Sequence, residues 1–420
     1  MVVRSWAGVL AERDFRRFFT GYLTSFFGSQ MVPVAVTFAV LNNGGTAADV
    51  GYVLAAETVP LVVFLLVGGV IADRLPRRVV MIGADLLRAL SQGTLAVLLL
   101  TGHPALWEFM VLLAFTGAGQ AFFSPAMTGL IPQVASAARL QQANALNGLA
   151  QSAGTVVGPA TGGVLVATVG PGWAIAVDAA TYLVSAYCLA RVRVPLVAAA
   201  GRSSFLAELR LGWREFRSRS WLVAVVISAA VWHLLVLAPF MVLGAVVAKA
   251  DLGGAGAWGA ILAAQGVGAV AGGLVMLRVR PGRPLVFAMA ALLTDAAPVA
   301  LLAVRAPAVA VAAGAFVAGW GQSMFSVLWD TTMQREIPPA VLSRVSAYDW
   351  FGSVAFLPIG YAIVGPLAGL LSITGTLWLA VAWSVLTTVG VLVVPSVWRL
   401  RAPAPSAPEP PAPAPAPEPT

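Results

Sequence analysis

The sequence is poor in the residues that many functions require. It holds a single cysteine, Cys188, and a single lysine, Lys249, and only 10% of its 420 residues are charged. One cysteine excludes an intrachain disulfide framework and a cysteine metal site. Soluble domains carry about 25% charged residues, so the shortage of charge excludes an ordinary soluble globule. The sequence also has no Walker A string and no pattern typical of a catalytic triad, and we therefore expect a protein that is not an enzyme and needs no cofactor.

What is present is apolar sequence. Hydrophobic residues make up 59% of the chain, and the mean hydropathy is +0.88. A membrane-spanning helix needs about 20 apolar residues. The pattern predicts an all-α integral membrane protein with twelve spans, at 18–41, 50–72, 79–101, 106–130, 142–168, 172–193, 221–247, 255–277, 284–304, 307–330, 344–370 and 372–395.

The net charge of +8 is compatible with nucleic-acid binding, but the position of the charges argues against it. Every arginine except Arg88 and Arg305 falls on one side of the predicted twelve-span topology. This is the positive-inside bias of membrane proteins, and it predicts that both termini lie in the cytoplasm. We expect a monomeric, multi-pass protein of the bacterial cell membrane, whose partners are the lipid bilayer and a small molecule rather than nucleic acid.

The longest polar stretch divides the spans six and six. We predict an amino-terminal bundle at 1–193, a cytoplasmic linker at 194–220, a carboxyl-terminal bundle at 221–398 and a disordered Pro/Ala-rich tail at 399–420. Apolar residues recur in the linker at helical spacing, which indicates either an amphipathic helix on the membrane surface or a simple connection. The two halves resemble each other weakly, as expected for bundles related by an axis along the membrane normal.

Ionisable side chains inside the spans are functional candidates because each costs a few kcal/mol to insert. Asp85 and Arg88 lie three residues apart and share a helix face. They form either a self-neutralising structural pair or a pair whose protonation or substrate contact drives a conformational change. Glu57 has no partner on its own helix, and low dielectric favours a protonated carboxyl group. We therefore interpret Glu57 as the leading proton site.

Three further groups complete the proton-coupling candidates. Asp178 lies near the start of the sixth span, where packing near the positive end of a helix is the alternative role. Asp295 lies midway along the ninth span without a local partner. His233, in the seventh span, is either a proton shuttle, since its ordinary pKa is about 6.5, or a hydrogen-bonded core residue.

The fifth span contains the string GxxxGPxxGG. Glycines four apart permit close helix approach, and a proline removes one helical hydrogen bond. A lone GxxxG is typical of generic helix packing, but the whole string resembles the antiporter motif of drug:proton antiporters in the major facilitator superfamily. We predict that it packs without contacting substrate, on the side facing the carboxyl half and its eleventh span. The motif comprises Gly154, Gly158, Pro159, Gly162 and Gly163.

A second string follows the second span and resembles the superfamily's GxxxDRxGRR signature, except that Pro76 replaces a glycine. The resemblance implies a cytoplasmic gate that latches the outward-facing state, whereas plain positive-inside anchoring would explain the arginines alone. In the family the fourth helix often supplies an arginine partner, but 106–130 contains none, so Asp73 is expected to meet the region of Arg344 instead. The gate residues are Gly69, Asp73, Arg74, Arg77 and Arg78.

Stretches at 142–148 and 337–346 resemble the branch that contains enterobactin exporters and macrolide efflux pumps. The resemblance implies two six-helix bundles that export a hydrophobic or amphipathic molecule in exchange for protons, by rocker-switch alternating access driven by the proton gradient. Alternatives are an uptake symporter or lipid flippase of the same fold, and a transport-inactive sensor or scaffold. In this fold spans one, four, seven and ten line the cavity, which implies the candidates Gln30, Met31, Gln120, Phe123, Trp232, Trp320, Gln322 and Trp329.

Overall fold

The structure is a computed structural model that describes residues 8–194 and 205–401. Within these ranges the side chains of 66–74, 205–209, 339, 340 and 343 are not described. The side chains of the gate residues Gly69, Asp73 and Arg74 therefore lie outside the described part of the chain, as do most of the linker and the tail.

The amino half consists of six helical segments. The first, α1 (Arg13–Asn42), is bent between Arg13–Ser29 and Val32–Asn42, where Pro33 opens the second part. A proline is tolerated there because its missing N–H falls in a first helical turn. The others are α2 (Ala47–Arg74), α3 (Arg77–Thr101), α4 (Leu106–Val134), α5 (Leu140–Thr168) and α6 (Pro171–Ala190).

The carboxyl half repeats this plan after a linker helix (Phe205–Arg217). Its first helix, α7 (Ser220–Leu252), contains π-helical turns at His233–Leu237 and Ala248–Leu252. Next come α8 (Ala255–Met276), α9 (Pro284–Ala303) and α10 (Ala308–Glu336). The helix α11 comprises Pro339–Val354 and the first part of Leu357–Leu392, and α12 is the part after Ser372, whose φ of 68° separates the two helices.

The all-α membrane fold is confirmed, and the described residues contain no strand. Ten stretches of the described chain are long and apolar enough to cross a membrane. The stretch Arg344–Leu392 counts once although it contains both α11 and α12, and α5 is not among the ten because its glycines and amides lower its hydropathy. Twelve crossings stays a prediction.

The hydrophobic core shows how the halves meet. We call the end of the bundle where α1 begins and α12 ends the terminal face, and the opposite end the distal face. One cluster on the distal side joins both halves and includes Phe38, Val53, Phe240, Trp258 and Val364. Near the terminal face each half has a cluster of its own, one around Phe15, Phe18 and Leu130 and another around Trp221, Trp329 and Val345. The halves are thus packed together distally.

Glycines carry the closest contacts between the halves, and they correct one prediction. A Cβ added at Gly163 of α5 would lie 2.7 Å from the carbonyl oxygen of Ala255 in α8, and one at Gly266 would lie 2.7 Å from that of Thr155. The fifth helix therefore meets the eighth, not the eleventh as expected. The eleventh packs on α2 instead, where Gly51 contacts the carbonyl of Tyr361. The approximate twofold relation of the halves pairs α5 with α8 and α2 with α11.

The linker helix packs on α11. The ring of Trp213 lies 5.5 Å from that of Tyr348, and the ring of Phe216 lies 6.0 Å from it. Gly212 faces Arg344, whose Cβ would lie 2.9 Å from an added Cβ. Part of the apolar face that the sequence assigned to the membrane surface is therefore covered by protein, while Trp213 keeps an exposed edge.

Candidate functional site

A polar cavity of about 390 Å³ lies inside the amino half. All six helices of that half contribute side chains to it. Its wall carries side-chain amides, hydroxyl groups, aromatic rings and two charged groups. The residues are Tyr22, Ser25, Phe26, Ser29, Gln30, Val32, Pro33, Glu57, Arg88, Gln92, Thr116, Gln120, Phe123, Ser124, Met127, Gln151 and Tyr182.

Arg88 is the best-ordered charge of this cavity. Its Nη1 donates to Oε1 of Gln120 at 2.6 Å, and its Nη2 donates to Oδ1 of Asp85. The guanidinium carbon lies 4.4 Å from the ring centroid of Phe123 and 4.3 Å from that of Tyr182. Rings on both sides and acceptors at two nitrogens hold the cation in place through cation–π attraction and charge-assisted hydrogen bonds. The structure thus joins the predicted pair with two predicted cavity residues.

Two carboxylates behind the cavity are fully buried. Asp85 and Asp178 both have 0% exposure. Asp85 is paired with Arg88, but Asp178 has no hydrogen-bond partner for either oxygen among the described residues. The hydroxyl of Thr181 donates to the backbone carbonyl of Asp178 at 2.6 Å, so it is not available to the carboxylate. Asp178 packs against the bend of α1, where a Cβ at Gly28 would lie 2.7 Å from its Oδ1.

Glu57 is placed differently from both aspartates. It lies on the cavity wall, is half-buried, and forms no salt bridge with a described residue. A carboxyl group on a cavity wall can reach water or a bound molecule, whereas Asp85 is already neutralised. Of the predicted proton-coupling residues, the structure brings Glu57, Asp85, Arg88 and Asp178 together in the amino half.

The carboxyl half holds the other two predicted groups. Asp295 is buried, and its Oδ1 accepts a hydrogen bond of 3.0 Å from Nε2 of Gln322, whose Oε1 accepts one of 3.2 Å from Gln265. The other oxygen of Asp295 and the indole N–H of Trp232 have no partner among the described residues. These groups surround a space of about 20 Å³, enough for roughly one water molecule.

His233 opens the first π-helical turn of α7. Its Nδ1 lies 2.8 Å from the carbonyl oxygen of Ala229, and its ring meets that of Trp232 edge-on at 5.0 Å. Both side chains line a mostly apolar cavity of about 230 Å³ with Met289, Phe325 and Thr388. None of the described residues that line this cavity is a carboxylate. Trp232 and Gln322 line both this cavity and the small one beside Asp295.

An internal repeat, which the sequence analysis overlooked, relates the two sites. The string GxGQxxFS occurs at 117–124 in α4 and at 319–326 in α10. Its first glycine contacts the carbonyl of Glu57 in one half and of Gln265 in the other. Its glutamine bonds Arg88 in α3 and Asp295 in α9, respectively. The repeat marks matched positions on α4 and α10, and the contacts of its first glycine identify Gln265 as the counterpart of Glu57.

The predicted cavity residues divide into two groups. Gln30, Gln120 and Phe123 line the amino-half cavity, and Trp232 and Gln322 line the smaller ones. Met31 is buried against Gly162 instead.

Trp320 and Trp329 do not line the three cavities described above, and their role in binding stays a prediction. Trp320 packs with Met276 and Leu328. Trp329 is buried beside Trp221 near the terminal face and donates to Oδ2 of Asp349 at 3.1 Å. The number of a helix does not tell which of its faces points inward, so it cannot select individual cavity residues. Gln92, Gln151, Ser29 and Tyr182 line the amino-half cavity although the sequence analysis did not select them.

The two described arginines of the gate string hold their own half together. Arg77 donates to the carbonyl of Gly129, and Arg78 donates to those of Val192 at 2.7 Å and Ala190 at 3.0 Å. They attach the start of α3 to the ends of α4 and α6. A glycine at 129 leaves room for the guanidinium of Arg77.

The antiporter string has two faces. Gly154, Gly158 and Gly162 face α1, where added Cβ atoms would overlap Phe26, Gln30 and Met31. Gly163 and the carbonyl of Pro159 face α8 at Gly259. The string therefore seats the cavity wall formed by α1 and also joins the halves.

A sequence model of the Major Facilitator Superfamily matches residues 18–356 of this chain. The multidrug efflux pump Tap of Mycolicibacterium fortuitum is 29% identical over 360 residues, which cover 82% of this chain and 87% of the relative. The enterobactin exporter EntS of Salmonella typhimurium is 25% identical over 367 residues, covering 85% and 86%. Macrolide efflux protein A of Streptococcus pyogenes is 24% identical over 221 residues, covering 52% of this chain and 55% of its own.

Solved structures share the fold at low sequence identity. A bacterial homologue of the iron transporter ferroportin, in an inward-facing state, superposes with a TM-score of 0.69 at 17% identity and covers 90% of this chain and 98% of its own. A mutant of the peptide transporter POT, in complex with sulfate, gives a TM-score of 0.73 at 12% identity, with coverage of 94% and 99%.

Proposed function

This chain belongs to the Major Facilitator Superfamily and is a membrane transporter rather than an enzyme; on that premise we propose that it exports an amphipathic small molecule in exchange for protons. Two relatives that match most of this chain are an efflux pump and an exporter, which supports the direction of transport. The observation that carries the proposal is the amino-half cavity, which combines binding groups with the carboxyl group of Glu57.

The packing of the halves supports alternating access. The shared core and the glycine contacts of α5 with α8 lie from mid-membrane to the distal face, while each half keeps a separate core at the terminal face. The amine of Lys249 in α7 also donates to the carbonyl of Leu41 at the end of α1. The distribution of arginines predicts that the terminal face lies in the cytoplasm. With that orientation, the distal contacts close the transporter to the outside. Rocking about the midplane would separate these contacts and close the terminal side.

Glu57 is our choice for the proton carrier. A carboxyl group that alternates between a proton and a charged or polar ligand must be reachable from the cavity, and Glu57 meets that requirement. Asp85 has a permanent counter-ion in Arg88. Asp178, fully buried behind Tyr182, would need the cavity wall to move before a proton could reach it.

Flux in proteoliposomes tests the proposal. The vesicles contain inside-out protein, and their interior is made acidic. We expect this pH gradient to drive uptake of radiolabelled erythromycin beyond the uptake of protein-free liposomes. Glu57→Gln should abolish the gradient-driven part while the variant remains folded. Gln265→Glu, the matched change at the equivalent position of the carboxyl half, should not restore coupling to Glu57→Gln.

Three outcomes would decide against parts of the proposal. Full coupling in Glu57→Gln excludes Glu57 as the carrier. Transport in the opposite direction under the same gradient favours an uptake symporter. Binding of drugs without flux under either gradient favours a transport-inactive sensor.

A further inference from the structure

The amino-half cavity is built for hydrogen bonding more than for apolar contact. Within about 390 Å³ its wall carries four glutamine amides and six hydroxyl groups. Part of this set is bonded within the protein, since Ser29 and Tyr182 share a hydrogen bond of 2.8 Å, Ser25 and Thr116 donate to backbone carbonyls, and Gln120 bonds Arg88 and Ser124. Cavities that bind small molecules are ordinarily lined by apolar groups, with a small number of polar ones. The excess of donors and acceptors indicates a ligand with several polar atoms.

Gln92 gives the clearest sign of what this cavity binds. Its side chain is 0% exposed and lines the cavity, yet neither its Oε1 nor its Nε2 has a hydrogen-bond partner among the described residues. Buried amides are nearly always bonded, since an unmade bond forfeits the hydration that the group had in water. One acceptor and one donor on the same amide match a hydroxyl group, or two neighbouring hydroxyl groups, which can both donate and accept.

The two charged groups of the cavity differ in how they are paired. Arg88 is neutralised by Asp85, bonded to Gln120 and covered by the rings of Phe123 and Tyr182, so little of its charge is left for a ligand. Glu57 has no such counter-ion among the described residues. A protonated amine beside Glu57 would supply the counter-charge, and aromatic rings of α1 and α4 provide apolar surface for the body of a ring.

We propose that the amino-half cavity binds the polar end of the exported molecule, and that this end is a positively charged, hydroxyl-bearing ring of the amino-sugar type. The inference rests on the proposed export function and specifies its substrate class. Gln92 bonds the ring hydroxyl groups and Glu57 accepts from the ammonium group. The mostly apolar cavity around Trp232 and Phe325 in the other half has no carboxylate among its described lining residues, so it offers no counter-charge to an ammonium group.

Three fluorescent compounds with one chromophore test this assignment on the full-length protein in lipid nanodiscs. Doxorubicin carries an amino sugar, N-acetyldoxorubicin carries the same sugar without the charge, and doxorubicinone lacks the sugar. By fluorescence anisotropy we expect doxorubicin to bind about tenfold more tightly than N-acetyldoxorubicin and still more tightly than doxorubicinone.

Substitutions assign the two contacts. Gln92→Leu should lower the affinity for both glycosides about tenfold and leave doxorubicinone unchanged. Glu57→Gln should make the affinities for doxorubicin and N-acetyldoxorubicin equal. Gln92→Glu should favour doxorubicin over N-acetyldoxorubicin more strongly than the wild type does, which keeps the test valid if the leucine variant fails to fold. Thr388→Val in the carboxyl-half cavity is the matched control. It should leave the relative affinities for the three compounds unchanged.

Three results would each overturn the proposal. The first is equal affinity for the three compounds, the second is an equal loss of affinity for the glycosides and doxorubicinone in Gln92→Leu, and the third is no binding of any compound. These results are independent of the flux assay. Erythromycin flux without sugar discrimination leaves export standing and removes the substrate class, while discrimination without flux leaves the subsite standing and removes export.

Discussion

The two halves of the molecule use one motif for opposite charges. In the amino half the glutamine of GxGQxxFS offers its oxygen to Arg88, and in the carboxyl half it offers its nitrogen to Asp295. Because an amide can accept or donate, the same residue at equivalent positions serves a cation in one half and an acid in the other. The same helix framework thus carries a cation on α3 and an acid at the corresponding place on α9.

This difference also separates the cavities. In the amino half the cation is paired, and space, hydroxyl groups and a second carboxylate remain around it. In the carboxyl half the acid is closed into a chain of two amides beside a space for about one water molecule, and the larger cavity nearby is mostly apolar. We therefore expect the amino half to hold polar ligand contacts and the carboxyl half to depend on packing.

The largest effect should come from removing the amino-half cation. Arg88→Met leaves Asp85 fully buried without a counter-ion, which typically costs about 3–5 kcal/mol. Asp295→Asn keeps an oxygen that accepts from Gln322 and should cost less than about 1 kcal/mol. Unfolding of the two variants in detergent micelles measures the contrast.

The double variant Asp85→Leu/Arg88→Met is the control, and it should recover most of the loss because both charges are gone. Wild-type stability of Arg88→Met would show that Asp85 needs no counter-ion and that the pair is functional rather than structural.

A smaller but sharper effect should follow from adding one acid to each repeat. Gln120→Glu places a carboxylate beside Arg88 and should be tolerated, since a guanidinium can bond two carboxylates. Gln322→Glu places a second acid about 3.0 Å from Asp295 and should lower the free energy of unfolding by about 1–3 kcal/mol, since like charges cannot both ionise there. Equal losses in the two variants, measured in the same micelles, would contradict the charge inversion.

Much of the fold is readable from the sequence because long apolar runs leave few alternatives to spanning helices. The predicted fourth and eighth spans, 106–130 and 255–277, correspond to helices Leu106–Val134 and Ala255–Met276. Hydropathy does not show, however, which way each side chain of a helix points. It gave no sign that Trp329 faces away from the cavities, or that α5 meets α8 rather than α11.

The site was harder to predict for the same reason. Asp85 and Arg88 are neighbours on one helix, so their pairing was accessible from spacing. Gln92 and Tyr182 come from helices that are distant in sequence, and only packing makes them walls of one cavity. The repeated GxGQxxFS string was the available signal, since it marks matched positions in α4 and α10 without any knowledge of contacts.

The smallest expected effect concerns the ion pairs beside the first helix of each half, at the terminal face. Hydrogen bonds from the Ser136 hydroxyl and backbone N–H, with the nearby Arg139 guanidinium, hold the pKa of Glu12 below its ordinary value. The folded state therefore binds this proton less readily than the unfolded state, so the stabilisation is present above the ordinary pKa and is lost as the pH falls through the lowered one. Before α7 the corresponding pair is local in sequence, since Glu215 near the end of the linker helix bonds Arg219 at the start of α7.

Glu12→Gln should thus cost less than about 1 kcal/mol at neutral pH, and the loss should disappear in acid. Glu215→Gln is the comparison and should cost about 0.3–0.5 kcal/mol without affecting the attachment of α1 to the α4–α5 connection. Proteolysis at that connection, followed at neutral pH, separates the two variants, because only Glu12→Gln weakens the hydrogen bonds that hold Ser136. Equal cleavage rates in the two variants would show that the bonds of Glu12 to the α4–α5 connection contribute no more than a surface ion pair.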